Sequence, residues 1–476
     1  MDDINVGLEV FKGFSGKIAQ AALGFVGTIV FARVLGPTGF GAFYFLQSIV
    51  FILDRPIKGT GTALTKRISE ADAPRTEFVG TGIIVVLMGT ILVLPVVVLN
   101  RWLTAFTGVE NASLVFIALF VSVSTFFISQ RLMEGLGFIG AKVWVDTVRS
   151  ALTLAAQLAF VLNGYGAAGM GYGLAAGTII SAGIGARFVG IRPELPSYST
   201  LRAVGGYAKY SIPGSLVGKV YGRIDTLILG TLTTGAFVGY YEVGLKLSLP
   251  AMFLSGAIAS ALFPQVSNLD SRDEDVSMDI QNAISYTSVL GIPILFGAMA
   301  IPEVILVTAY GTAYRAAVPF LIGLVAVQVL SSQVTVYNNA LQGLNFPDLS
   351  MRLQILGLVV NTSAAVGALL LFGPFGVVVG SILAESVQYL YSSHLVRQKV
   401  SVARISRPLL EQISAGTVMF VTLRTVSSLV GFQSVVQVVS FVGFGGGVYF
   451  SLLYLISANF RLTVGSVVND VKKEYT

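Results

Sequence analysis

Hydrophobic residues run along most of this chain in long stretches that contain no charged side chain. Residues 78–100 and 112–130 form two such stretches, and residues 150–186 and 353–384 form two longer ones. About 20 apolar residues in a helix cross the hydrocarbon core of a bilayer. Because each longer stretch exceeds one crossing and contains a glycine-rich break, each predicts two helices joined by a tight turn.

The hydrophobic pattern predicts an all-α integral membrane protein with about fourteen transmembrane helices. A segment in hydrocarbon must satisfy its own backbone hydrogen bonds, which favours helices, and the sequence lacks the short alternating segments of a membrane barrel. Charges interrupt the second, seventh and eighth helices. The predicted spans are 13–34, 39–63, 78–100, 112–134, 140–163, 167–187, 207–231, 235–263, 281–307, 315–342, 350–372, 375–396, 406–429 and 433–457.

Two glycine-containing patterns occur twice along the chain. LGPTGFGAF at residues 35–43 returns as LGTLTTGAF at residues 229–237, each at a predicted outer turn. A second pattern opens helix 6 and again helix 12, with the same spacing: Gly166, Gly169 and Gly173, then Gly373, Gly376 and Gly380. Two matches in the same order indicate an internal repeat, and convergent use of glycine at turns is the alternative.

The repeat predicts two pseudo-symmetric six-helix lobes followed by two further helices. Both lobes begin on the same side of the membrane, so the repeat is parallel. The predicted divisions are an N-terminal lobe at 1–190, a cytoplasmic linker at 191–206, a C-terminal lobe at 207–396, and helices 13 and 14 with a cytoplasmic tail at 397–476.

Composition and charge agree with a membrane location. Hydrophobic residues make up 54% of the chain and charged residues 11%, against roughly 25% charged residues in soluble domains. With the N-terminus in the cytoplasm, most of the 30 lysines and arginines fall in cytoplasmic loops, and only Arg33, Arg101 and Arg315 fall outside. The positive-inside rule therefore predicts a multi-pass protein of the cell membrane with both termini cytoplasmic.

The same loop bias accounts for the net charge of +6, so no nucleic-acid partner is expected. The chain has no cysteine and a single histidine, His394, which leaves little for metal chemistry. No set of nucleophile, base and orienting group is recognisable. We therefore predict no metal, no cofactor and no enzymatic activity.

Charged residues inside the predicted spans are costly in a bilayer and mark candidate function. Asp54 and Lys58 are spaced to pair, and cations outnumber carboxylates, which suits an anionic cargo such as phosphate or pyrophosphate. Local ion pairing is the alternative, and for Glu242 with Lys246 both interpretations stay open. The candidate substrate-binding residues are Asp54, Arg55 and Lys58 in helix 2, Lys219, Arg223 and Asp225 in helix 7, and Lys246 in helix 8.

Four segments carry a resemblance to a known family. RVLGPTGFGAFYF, GRIDTLILGTLTTGAFVGYYEVGLKLSLP, LFPQVSNL and YGTAYRAAVPFL resemble polysaccharide and lipid-linked oligosaccharide flippases of the multidrug/oligosaccharidyl-lipid/polysaccharide exporter superfamily. The resemblance implies alternating access and cavity cations that hold a lipid phosphate, with helices 13 and 14 sheltering the lipid tail. Charges in such proteins stand at positions that match Arg33, Arg55, Lys58, Arg223, Asp225 and Lys246.

The resemblance implies a flippase that moves a lipid-linked sugar or oligosaccharide across the cytoplasmic membrane for cell-surface glycan or glycoprotein assembly. An ion-coupled multidrug exporter of the same superfamily and a non-catalytic membrane partner of a glycosyltransferase are the alternatives. Membrane lipid, glycosyltransferases and an oligosaccharyltransferase are the expected partners. In its lack of cysteine and in the acidic segment SEADAPR, the chain resembles haloarchaeal proteins. In such an organism the cargo would be a dolichol-phosphate sugar for protein glycosylation.

Overall fold

All regular structure in the described part of the chain is helical. The computed structural model describes residues 6–403, 406–432, 434–462 and 465, with side chains from residue 24 onward. The prediction of an all-α protein is confirmed for these residues. Contacts divide the chain into two compact units, Met1–Gly239 and Tyr240–Thr476. The lobe boundaries at 190 and 207 come from the sequence repeat, and they stay a prediction.

The first unit contains nine helices and the start of a tenth among its described residues. Helix α1 changes direction at Gly36, whose φ of 64° lies in the left-handed region, so the turn predicted after the first span is present. The helices are α1 Val6–Leu53, α2 Arg55–Ile68, α3 Arg75–Val93, α4 Asn100–Thr107, α5 Ala112–Gly135, α6 Ile139–Phe160, α7 Gly166–Val189, α8 Tyr198–Tyr221, α9 Ile224–Leu232 and α10 Gly235–Ser248.

The second unit contains the rest of α10 and the remaining helices of the described chain. A buried cluster that includes Tyr337 and Leu341 of α15 forms its core on one side. Another cluster, around Met419 and Tyr449, joins α18 and α19 to the unit. The helices are α11 Phe253–Asp270, α12 Ser277–Thr287, α13 Gly291–Ala300, α14 Pro302–Tyr310, α15 Val318–Gly343, α16 Pro347–Phe372, α17 Gly376–Arg397, α18 Arg407–Ser427 and α19 Val435–Ile456.

Within the described residues, nine helical stretches are long and apolar enough to cross a membrane. In Ile139–Val189 and in Pro347–Arg397, two helices meet at a glycine-rich break, as predicted. Gly173 of α7 packs against the backbone of Gln157 in α6, and Gly380 of α17 packs in the same way against Ala365 in α16. The protein is thus a multi-pass membrane protein, while the count of fourteen crossings stays a prediction.

Several predicted spans are interrupted at positions where charges or proline occur. The span 78–100 changes to a 3-10 helix at Leu94–Leu99, and the span 281–307 divides into α12, α13 and α14, the last of which begins at Pro302. The predicted span 39–63 breaks after Leu53, and the span 235–263 breaks at Leu249–Met252, where Pro250 lies. The span 207–231 breaks at Gly222 and Arg223, and its helix α8 already begins at Tyr198, inside the predicted linker. Part of the predicted linker 191–206 is therefore helical, and its role as a cytoplasmic linker stays a prediction.

Candidate anion-binding site

The break between α1 and α2 places three charges at a helix junction. Pro56 has no backbone N–H to donate, so the helix cannot continue its regular hydrogen bonds through this turn. The Nε of Arg55 donates to the carbonyl oxygen of Phe51 at 2.9 Å and so satisfies one backbone acceptor at the break. Arg55 is therefore fixed at the junction by its own helix.

Asp54 is fully buried and holds two cations beside it. The Nε of Arg55 lies 3.1 Å from its Oδ1, and the Nζ of Lys58 lies 2.6 Å from its Oδ2. A buried carboxylate is stable only when paired, so Asp54 orients both cations. The pairing of Asp54 with Lys58, expected from their spacing, is present.

The break between α8 and α9 contributes the second pair of cations. Lys219 lies in the last turn of α8, and Arg223 stands at the junction one helical turn later. Their cationic groups lie 4.9 and 5.9 Å from the ring centre of Phe51, and the Nζ of Lys58 lies 5.1 Å from the same centre. Lys219 also interacts electrostatically with Asp54 and Arg55. One phenyl ring thus gathers cations from two helices.

Close packing of α2 against α8 creates this arrangement. A Cβ on Gly59 would lie 2.5 Å from the Ile212 side chain, so only glycine permits the approach. The hydroxyl of Ser211 donates to the carbonyl oxygen of Gly59 at 2.7 Å. Lys219 lies two turns beyond this contact, which brings it level with the end of α1.

The structure does not bring all the candidate residues together. Arg33 has an exposed side chain and lies just before the Gly36 turn, and roughly 25 Å of helix separates that turn from Asp54. Asp225 is buried in the first turn of α9, two residues after Arg223. Lys246 belongs to the second unit, where it follows the buried Glu242 by one turn of α10.

The group around Phe51 has a surplus of positive charge. Arg55, Lys58 and Lys219 interact with the carboxylate of Asp54, and Arg223 interacts with Lys219 and lies over the same ring. Guanidinium groups bind phosphate oxygens in pairs, and lysine adds a compact point charge. The arrangement is chemically suited to an anionic group such as a phosphate, and we name these four residues with Asp54 and Phe51 the Phe51 cluster.

Phe51 itself was not among the residues selected from the sequence. Its position gives a signal that could have found it, because Phe51, Arg55 and Lys58 share one helical face at spacings of four and three residues. A phenyl ring attracts cations to its face and makes a group of like charges less unfavourable. Phe51 is thus the central contact of the cluster.

A comparison with known families identifies the chain. Residues 9–270 match the family described as polysaccharide biosynthesis protein. The chain belongs to this family. This polysaccharide biosynthesis protein is 28% identical over 446 residues to the probable low-salt glycan biosynthesis flippase Agl15 of Haloferax volcanii, with 93% of each chain covered. It is 24% identical over 467 residues to the probable flippase AglR of the same organism, covering 96% of this chain and 97% of that one.

Solved structures of similar fold agree with the family. The lipid II flippase MurJ in an inward closed conformation superimposes with a TM-score of 0.79 at 12% identity, covering 95% of this chain and 100% of MurJ. An inward-facing multidrug resistance MATE transporter of the MOP superfamily gives a TM-score of 0.63 at 14% identity, covering 80% and 95%. The resemblance of this polysaccharide biosynthesis protein to lipid-linked oligosaccharide flippases is thereby confirmed.

Proposed function

We propose that this protein is a flippase for a sugar or oligosaccharide linked to a polyprenyl or dolichyl phosphate or pyrophosphate. The cargo would move from the cytoplasmic to the outer face of the cell membrane by alternating access. The observation that carries the proposal is the Phe51 cluster, in which four cations and one buried carboxylate lie around a phenyl ring inside a membrane protein. The two Haloferax volcanii relatives named as flippases support it over almost the full length of the chain.

The cations lower the cost of moving an anionic headgroup through a region of low dielectric constant. Arg55, Lys58, Lys219 and Arg223 would contact the phosphate oxygens, while Asp54 keeps Arg55 and Lys58 oriented before the cargo arrives. Arg33, Asp225 and Lys246 would contact the cargo or its sugar at other stages of transport. An inside-negative potential favours outward movement of an anion by about 2.3 kcal/mol per charge per 100 mV.

The lipid tail needs an apolar path beside the protein. Within the second unit, α13, α15, α18 and α19 enclose an apolar cavity of about 240 Å³, lined by residues that include Pro293, Met419 and Phe450. Gly445 of α19 packs directly against Leu423 of α18 in this wall. We propose that this cavity shelters part of the lipid, as the resemblance implies for helices 13 and 14.

The alternatives receive less support. The MATE neighbour has a lower TM-score and covers less of the chain than MurJ, and at 14% identity it supports the fold alone. Residues 13–34, the predicted first span, contain no carboxylate of the kind that ion-coupled exporters use there. A non-catalytic partner of a glycosyltransferase would not need the surplus of cations in the Phe51 cluster.

The cellular setting forms part of the proposal. The protein would lie in the cytoplasmic membrane with both termini in the cytoplasm, as the distribution of lysine and arginine favours. Glycosyltransferases would supply the lipid-linked sugar at the inner face, and an oligosaccharyltransferase would use it at the outer face. Protein glycosylation of surface glycoproteins is the process that fits these partners.

The test is complementation of a strain that lacks this gene, with lipid-linked sugar measured at the cytoplasmic face. Arg223→Ala and Lys219→Ala should accumulate lipid-linked sugar and leave surface glycoprotein under-glycosylated at normal protein level. Arg223→Lys should restore part of the activity, because lysine keeps the charge and loses the two-pronged geometry. Arg67→Ala is the matched control, since Arg67 lies on α2 but pairs with Glu70 near the surface. Full glycosylation in both alanine variants would contradict the proposal.

A further inference from the structure

A second phenyl ring extends the Phe51 cluster toward one end of the helices. The Nζ of Lys58 lies 5.4 Å from the ring centre of Phe127 in α5, and the guanidinium carbon of Arg131 lies 4.9 Å from the same centre. Lys58 therefore contacts two rings, Phe51 and Phe127, with further cations on both sides. We name Arg131, Lys58, Lys219 and Arg223 the cation row.

The members of the row follow one another along the helix axis. The hydroxyl of Thr65 donates to the carbonyl oxygen of Arg131 at 3.0 Å, so Arg131 lies level with Thr65, about 10 Å along α2 from Lys58. Helix α8 runs antiparallel to α2, because Ser211 contacts Gly59 and Tyr207 contacts Lys66. Lys219 and Arg223 therefore lie beyond Lys58 on the side away from Arg131.

The spacing is short enough for one anionic group to interact with successive members. Arg131 and Lys58 each lie within 5.4 Å of one ring centre, which limits their separation to about 11 Å, close to the Debye length of about 10 Å in 0.1 M salt. The shared contact with Phe51 limits the distance between the Nζ atoms of Lys58 and Lys219 in the same way. The negative ring faces lower the repulsion that these neighbouring cations would otherwise suffer.

The local pairing of Arg131 allows it to engage an anion at low cost. Its Nη1 lies 3.1 Å from Glu134 Oε2, and the Nζ of Lys142 lies 2.5 Å from the same oxygen. When Arg131 turns to another anion, Glu134 keeps Lys142 as its partner. Arg131 is about 29% exposed, whereas Lys58 is about 12% exposed, so Arg131 is the more accessible of the two.

We propose that Arg131 is a loading residue, the first cation to contact the anionic headgroup, which then passes along the cation row to Lys219 and Arg223. This inference rests on the proposed flippase function and on the topology that puts the end of α5 in the cytoplasm. Arg131 acts on capture of the cargo and not on its translocation. Its loss should therefore weaken capture and leave the translocation step intact.

The test uses the purified full-length protein in liposomes with a fluorescent isoprenyl phosphate that carries one hexose. Initial transport rates are measured against the mole fraction of this probe. Arg131→Gln should raise the half-saturating fraction about fivefold and keep the maximal rate within about twofold, since steering acts on association. The half-saturating fraction should also depend less on NaCl than in the wild type, because one screened charge is gone.

Two phenylalanine variants distinguish an effect on the cation row from a general effect of lost packing. Phe127→Leu removes the ring that joins Arg131 and Lys58 and should raise the half-saturating fraction in the same direction. Phe160→Leu is the matched control, since Phe160 in α6 is a half-buried ring whose aromatic contacts are Tyr165 and Tyr172. The control should behave as the wild type does.

The outcomes distinguish this inference from the function on which it rests. If Arg131→Gln keeps the half-saturating fraction and salt dependence of the wild type while Arg223→Ala loses transport, the loading role is wrong and the proposed function stands. A fall in the maximal rate alone would also contradict the loading role, because it would place Arg131 in translocation. If the wild type and Arg223→Ala move the probe equally slowly, the proposed function fails and the loading role fails with it.

Discussion

Gly41 of α1 and Gly235 of α10 lie in direct backbone contact. A Cβ on Gly41 would overlap the carbonyl oxygen of Gly235, and a Cβ on Gly239 would overlap the carbonyl oxygen of Pro37. Gly41 and Gly235 are the matching residues of the two copies of the repeated pattern, at 35–43 and 229–237. The glycine at position 41 therefore has a physical reason, since a side chain there would meet the backbone of the second copy, whereas a Cβ on Gly235 would lie 3.2 Å from the carbonyl oxygen of Thr38 and make only a tight contact.

We expect Gly41→Ala to lower the thermal stability of the purified protein. The overlapping atom belongs to the backbone and cannot rotate away, so the helices must separate at a cost of about 1–3 kcal/mol. Gly24→Ala is the control, because nothing lies near a Cβ at that position of the same helix. Melting temperatures followed by tryptophan fluorescence in detergent measure the effect. Equal values for the two variants would contradict the close contact.

A second glycine prediction concerns the α6–α7 hairpin. Gly173→Ala should destabilise the protein, because its Cβ would overlap the backbone of Gln157. Gly183→Ala in the same helix meets open space and should be neutral or stabilising by up to about 1 kcal/mol, since alanine is the better helix former. The same melting assay compares the two variants. A higher melting temperature for Gly173→Ala would contradict the close contact between Gly173 and the backbone of Gln157.

The features set by local sequence were predictable, and those set by packing between distant segments were not. Apolar runs predicted the helices, and glycine patterns predicted the turn at Gly36 and the break between α6 and α7. The breaks at Asp54 and Arg223 were missed. A charged residue inside an apolar run is compatible both with a helix break and with one continuous transmembrane helix. The structure places both charges at helix junctions, where Arg55 also satisfies a free backbone carbonyl.

The Phe51 cluster depends on a contact between helices that are far apart in sequence. Spacing along α2 predicted the pair of Asp54 with Lys58, which the structure contains. Lys219 reaches Phe51 because Gly59 of α2 packs closely against Ile212 of α8. No periodicity in the sequence predicts that these two helices pack together. Binding of cargo by these residues stays a prediction, as does the involvement of Arg33, Asp225 and Lys246.

The proposed topology predicts which positions an impermeant thiol reagent reaches in intact cells. The chain has no cysteine, so single introduced cysteines report without background. Leu195→Cys lies in the exposed segment before α8 and should be protected as a cytoplasmic site, whereas Arg101→Cys and Ala313→Cys should be labelled from outside. All three should react after permeabilisation. External labelling of Leu195→Cys would contradict the fourteen-span arrangement.

Hydrogen bonds fix the segment before α8 to the start of α3. Glu77 Oε2 accepts from the backbone N–H of Ser197 at 2.8 Å and from the hydroxyl of Thr200 at 2.5 Å. Bonds to a charged group contribute about 1.5–3 kcal/mol each, so Glu77→Ala should speed amide exchange at Ser197 by at least about tenfold. Hydrogen exchange followed by mass spectrometry measures this. Glu70→Ala, which removes a partner of Arg67, should leave the segment unchanged.

Asp54 and Lys58 allow cargo binding to be separated from structural pairing. Lys58→Ala removes one of the two cations in direct contact with the buried carboxylate, and we expect a loss of stability of about 3 kcal/mol together with a loss of transport. Arg223→Ala should also lose transport, because the phosphate of the cargo then lacks its guanidinium, and its melting temperature is measured beside that of Lys58→Ala.

The double variant Asp54→Asn with Lys58→Ala decides the role of Lys58. Removing the negative charge makes the lost lysine unnecessary for folding, so the melting temperature should return close to that of the wild type. Transport should stay low, because the phosphate of the cargo has lost one of its cations, and neutral asparagine cannot supply one. Glycosylation of surface protein in the deletion strain and the melting temperature are measured on the same variants. If transport returns together with stability, Lys58 serves only to balance Asp54, and cargo binding must depend on Arg55, Lys219 and Arg223.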